Sequence, residues 1–108
     1  MPDINLLDCT LRDGGYLNDW EFGHDNIVNI FERLVSAGVD IIEIGFLNAS
    51  REYDANRTIF PNARSVNLTY AGLEKGTSMI VGMIDYGTCG IDRMIPASDS
   101  FMDGIRVI

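Results

Sequence analysis

Apolar positions along this chain recur in two rhythms. Ile27, Ile30, Phe31, Leu34 and Val35 return at three- and four-residue spacing, which predicts an amphipathic helix. Asp25 stands where an N-cap would accept from the free amides of the first turn, and Gly38 supplies the stop. On either side the pattern changes to short, β-branched runs. Residues 4–9 (Ile-Asn-Leu-Leu-Asp-Cys) and 39–45 (Val-Asp-Ile-Ile-Glu-Ile-Gly) predict strands, so residues 4–45 form a strand–helix–strand unit with parallel strands side by side.

Beyond that unit the pattern weakens. Residues 47–64 are polar, broken at Pro61, and predict a long loop; residues 65–75 predict a helix closed by Gly76. Ser78 to Ile84 predicts a third strand, Ile91 to Met94 a short helical turn, and Asp103 to Ile108 a fourth strand. The whole reads as an α/β chain of about four parallel strands with intervening helices. No repeat, low-complexity tract or linker divides residues 1–108, and the apolar Gly-Ile-Arg-Val-Ile ending predicts the front part of a longer protein.

Charge narrows the partners. The 108 residues carry 16 acidic and 8 basic side chains, a net charge of -8, with the basic residues scattered singly. Polyanion binding requires clustered Lys and Arg, so nucleic acid and anionic membrane surfaces are poor partners. No apolar run approaches the roughly 20 residues that span a bilayer, no signal peptide is visible, and Cys9 and Cys89 match no metal or redox spacing. These features predict a cytoplasmic protein with reduced thiols.

Chemistry in parallel α/β folds gathers where strands end. Arg12 and Asp13 follow the first strand, Glu43 lies near the end of the second, and Asp85 follows the third. Alternation in the second strand sets Ile41 and Glu43 on one face and Ile42 and Ile44 on the other. Glu43 then needs a buried partner, and Arg12 is the natural one. That pair is equally consistent with a salt bridge that only closes the sheet. Asp13 before two glycines reads alone as a turn residue, His24 as a surface histidine, and Tyr16, Trp20 and Phe22 as cover for an apolar patch.

"DCTLRDGG" at 8–15, with "VDIIEIGF" at 39–46, resembles the metal-dependent aldolase, lyase and synthase family of TIM barrels, including 4-hydroxy-2-oxovalerate aldolase and hydroxymethylglutaryl-CoA lyase. The resemblance implies the N-terminal half of a (β/α)8 barrel, since a whole barrel takes about 250 residues. It implies an enzyme that makes or breaks a carbon–carbon bond of a 2-oxo acid through an enolate. Asp13 would bind a divalent Mn²⁺ or Mg²⁺, Arg12 would stabilise the enolate oxygen, and Glu43 would orient Arg12 or the metal's surroundings. Tyr16 stands where the family's bacterial aldolases carry a general acid/base histidine. The family completes its metal site with a His-X-His pair, whereas this chain has one histidine, so metal binding and activity in the isolated chain are expected to be weak or absent. Two alternatives accompany this reading. One is a non-catalytic α/β module, self-associating as a homo-oligomer through an open barrel face. The other is a Claisen-type acyl-CoA synthase fragment, against which stands Gly15-Tyr16 in place of the synthases' glutamate-glutamine pair.

Overall fold

The computed structural model describes residues 5–108; Ile4, the start of the predicted first strand, lies outside them. Five strands form one all-parallel sheet: β1 (Leu7–Asp8), β2 (Ile41–Leu47), β3 (Ile59–Phe60), β4 (Met79–Ile84) and β5 (Gly104–Val107). The order is β1-β2-β4-β5, with β3 also on β2. Between them lie α1 (Thr10–Asp13), α2 (Gly15–Asn18), α3 (His24–Ser36) and α4 (Ala63–Tyr70). Parallel strands alternating with helices make this an α/β fold consistent with part of a TIM barrel.

The expected four strands become five because Ile59 and Phe60, inside the predicted loop, pair with the far half of β2. β1 meets Ile41 and Ile42, and β3 meets Phe46 and Leu47. The two short strands thus share β2 as a partner in succession. β2 itself runs on to Leu47, two residues past the predicted end, so Glu43 sits in mid-strand.

A β-bulge in β2 governs the layers. Glu43 pairs with Val81 but Phe46 with Met83, so the register shifts between them. An extra residue in a bulge reverses the alternation of side chains. Ile42, Ile44 and Leu47 join one core cluster with Phe31, Tyr70 and Phe101, whereas Phe46 joins Trp20, Ile59 and Met83 in another. Gly45 is required there: a Cβ would lie 2.4 Å from the Thr58 carbonyl oxygen and 2.6 Å from the Phe60 ring.

The helix predicted from the apolar stripe is α3, which buries Ile27 and Phe31. Its N-cap is Gly23, not Asp25, and Asp25 lies in the first turn. The capping is tertiary: Asn56 accepts from the amide of Gly23 through its carbonyl and from that of His24 through its side chain, both at 3.0 Å. α4 starts and ends earlier than the predicted 65–75. Asn62 and Ser65 close a reciprocal capping box at its start, and Gly72, at φ +90°, follows its end.

Tyr70 ends α4 fully buried and donates its hydroxyl to the Ile44 carbonyl beside the bulge, at 2.9 Å. Burial pushes its phenol pKa far above the ordinary value. Tyr70→Phe leaves that buried carbonyl without this donor. It should lower unfolding free energy by about 1–3 kcal/mol in urea titrations, and an unchanged midpoint would contradict this packing.

Candidate active site

Asp8 begins the site by turning the chain. Its carboxylate accepts from the Thr10 amide and hydroxyl, at 2.9 and 3.1 Å, and α1 follows at once. Two further contacts fix the α1 backbone by its carbonyls. The Thr58 hydroxyl donates to Leu11 O at 2.6 Å, and the Trp20 indole donates to Arg12 O at 2.9 Å. The Asp-Gly-Gly stretch, expected as a turn, joins two short helices, with Gly14 as the turn residue between them. Gly15 permits this because the Trp20 ring occupies the space a Cβ would need, 1.8 Å away.

From that cradle Arg12 reaches back over the sheet. Its Nε donates to Glu43 Oε1 at 2.6 Å and its Nη1 to Asp13 Oδ1 at 3.1 Å. Glu43 is completely buried and the Arg12 side chain is 12% exposed, so the expected buried pair exists. Sequence reasoning missed the second partner. Arg106, on β5, donates Nε to Glu43 Oε2 at 2.6 Å and Nη2 to Oε1 at 3.1 Å. The available signal was period-two spacing: Arg106 shares a face with Gly104, whose register neighbour Val81 is the neighbour of Glu43.

Burial pushes the Glu43 pKa upward, but the hydrogen bonds from Arg106 and Arg12 outweigh it and leave the carboxyl below the usual glutamate value. Burial likewise opposes the charge on Arg12, and the Glu43 hydrogen bond overcomes it, leaving that pKa raised. Both partners are thus held ionised at neutral pH.

The other candidates fall into two groups. Asp13 is at the site, but its side chain is 65% exposed. Tyr16 is 55% exposed and meets Trp20 edge-on at 5.0 Å, with no hydrogen bond to Arg12, Asp13 or Glu43. Trp20 is itself buried over Phe46, at 5.5 Å between ring centroids. His24 is exposed at the start of α3. The Asp85 carbonyl accepts from the amide and hydroxyl of Thr88, a turn contact.

A divalent cation takes about six or more oxygen ligands. Asp13 offers one open carboxylate, and among the described residues no three His, Cys, Asp or Glu side chains come together. These residues alone do not make a divalent-metal site. What they make is a pair of guanidiniums held over a buried carboxylate. Arg12 Nη2 and Arg106 Nη1 have no hydrogen-bond partner among the described residues, so both can still receive an anion.

Residues 3–104 match the model of the HMGL-like family. The chain belongs to that family. HMGL-like proteins use divalent metals. The chain is similar to a 2-isopropylmalate synthase of Sulfolobus acidocaldarius, 29% identical over 98 residues. That alignment takes in 89% of this chain and 25% of the synthase, so the chain spans about a quarter of that relative's length. No solved structure matches it significantly. No helix among the described residues is long and apolar enough to cross a membrane.

Removing the Glu43 carboxylate leaves Arg12 buried without its buried partner and with the largely exposed Asp13 alone, while Arg106, at 39% exposure, regains water. Glu43→Ala should cost roughly 3–5 kcal/mol at neutral pH. Because the folded-state pKa is depressed, the carboxylate's contribution is present above the ordinary value of 4.5 and is lost as pH falls through the lowered one. The gap between parent and variant urea midpoints should therefore narrow on acidification. A gap independent of pH would mean that Glu43 is not held as the charged form.

Proposed function

We propose that this chain supplies the oxyanion-binding part of an enzyme that acts on the carbonyl of a 2-oxo acid. Carbon–carbon chemistry at that carbonyl places negative charge on its oxygen. An attacking enolate produces an alkoxide, and retro-aldol cleavage of the bond between the α- and β-carbons produces an enolate. A fixed guanidinium in a largely water-excluded position lowers the energy of either anion. Arg12 is the residue for this role, and its fixation by Glu43 at 2.6 Å is the observation that carries the proposal. Glu43 acts through Arg12 as a positioning residue. Tyr16 is proposed as a proton donor through its phenol hydroxyl. Asp13 is proposed as one ligand of a divalent metal whose remaining ligands come from outside these 108 residues.

Two reactions use this arrangement. The likeness to 2-isopropylmalate synthase supports a Claisen-type condensation, in which an acyl-CoA enolate attacks the 2-oxo acid. The Gly15 geometry supports the second, an aldol or retro-aldol reaction. The glutamate of a synthase-like pair does not fit at position 15 while Trp20 stays in place, because the indole lies 1.8 Å from the required Cβ.

Grafting this segment in place of the matched region of the Sulfolobus synthase tests both. The graft, with Mn²⁺, should release CoA thiol from acetyl-CoA in the presence of a 2-oxo acid, and Arg12→Ala should reduce the rate about 10²–10³-fold. Pyruvate release from a 4-hydroxy-2-oxo acid, without thiol release, would select the aldol reaction. Turnover indifferent to Arg12 would end the proposal. The isolated chain should show negligible turnover in either assay.

A further inference from the structure

We infer that Arg106 is the residue that receives the carboxylate of the 2-oxo acid, placing the substrate's carbonyl oxygen at Arg12. The inference rests on the function proposed above and adds to it a binding role for a side chain on β5.

Three observations lead there. First, both arginines use their Nε edge on Glu43, one on each carboxylate oxygen, at 2.6 Å. Each is thereby fixed while part of its outer fork stays available. Arg106 spends Nη2 on Glu43 and on Met83 Sδ, at 3.3 Å, and its Nη1 has no partner among the described residues. Second, the acids are divided unevenly. Arg12 has Asp13 at 3.1 Å besides its share of Glu43, whereas among the described residues Glu43 is the one acid paired with Arg106. A substrate carboxylate at Arg106 gives it the second acid that Arg12 already has. Third, the exposures differ in the required sense. Arg12 is 12% exposed and Arg106 39%, so the reacting oxygen meets the drier guanidinium and the unreactive carboxylate the wetter one.

The residue type matters. A guanidinium can hold Glu43 with one edge and an incoming carboxylate with another. A lysine ammonium at this position is a single point charge and would be committed to Glu43. Arg106→Lys therefore separates the two roles, since it keeps a cation beside Glu43 but removes the fork.

The test follows the arginine Nε–Hε signals of the intact ¹⁵N-labelled chain during titration with pyruvate and with pyruvamide, which keeps the ketone but lacks the charge. Pyruvate should shift both the Arg12 and Arg106 signals, and pyruvamide that of Arg12 alone. Arg106→Lys should weaken pyruvate binding about tenfold or more, leave pyruvamide binding unchanged, and melt close to the parent. Equal affinity of Arg106→Lys and parent for pyruvate would overturn the assignment. So would identical responses of the parent to the two ligands, or no response to pyruvate; these readouts stand even if the variant does not fold. Arg106-dependent pyruvate binding without turnover by the graft would count against the proposed reaction and leave the carboxylate site intact. Turnover whose KM ignores Arg106→Lys would do the opposite.

Discussion

A carboxylate with no access to water is the constraint around which this chain is organised. Taking Glu43 out of solvent carries a desolvation cost of several kcal/mol unless its oxygens are fully engaged. β2 lies inside the sheet, so the partners must arrive from either side. Arg12 comes from the segment after β1, and Arg106 crosses β4 from β5. The strand order β1-β2-β4-β5 and the ion triad are two descriptions of one arrangement. Neither arginine can be withdrawn without leaving charge on Glu43 incompletely matched.

The bulge in β2 lets this polar centre coexist with apolar packing on both faces. Before it, Ile42 and Ile44 point to the helices while Glu43 points away. After it, Leu47 faces the helices and Phe46 joins Trp20 and Met83. A regular strand would have sent Phe46 to the helix side and Leu47 to the other. Instead the site has an apolar wall directly beyond its charges, formed by an indole that also holds the Arg12 carbonyl.

Much of this was legible because it depends on local periodicity. The stripe from Ile27 to Val35 marks α3, the alternation around Glu43 marks its face, and the Arg12 partner follows from strand adjacency. What escaped prediction depends on distant residues. Nothing near Ile59 announces that two residues will pair with the end of β2, since that strand exists only because Gly45 admits Thr58 and Phe60 at close range. Asp25 has the chemistry of a cap, but Asn56 performs that function from across the fold. Arg106 looked like one basic residue in an apolar strand until the register between β4 and β5 set it beside Met83, two residues on from the Val81 that pairs with Glu43. Asp13 and Tyr16 were visible as motif positions, but their exposure was not.

The contacts that hold α1 have a property of their own. Thr58 grips the main chain at residue 11 and Trp20 grips it at residue 12, both by carbonyl oxygens. A peptide oxygen is the same whatever side chain hangs from it. The backbone contacts thus fix where position 12 is, and the demand for a guanidinium there comes from the Glu43 carboxylate, so place and identity are set by separate parts of the fold.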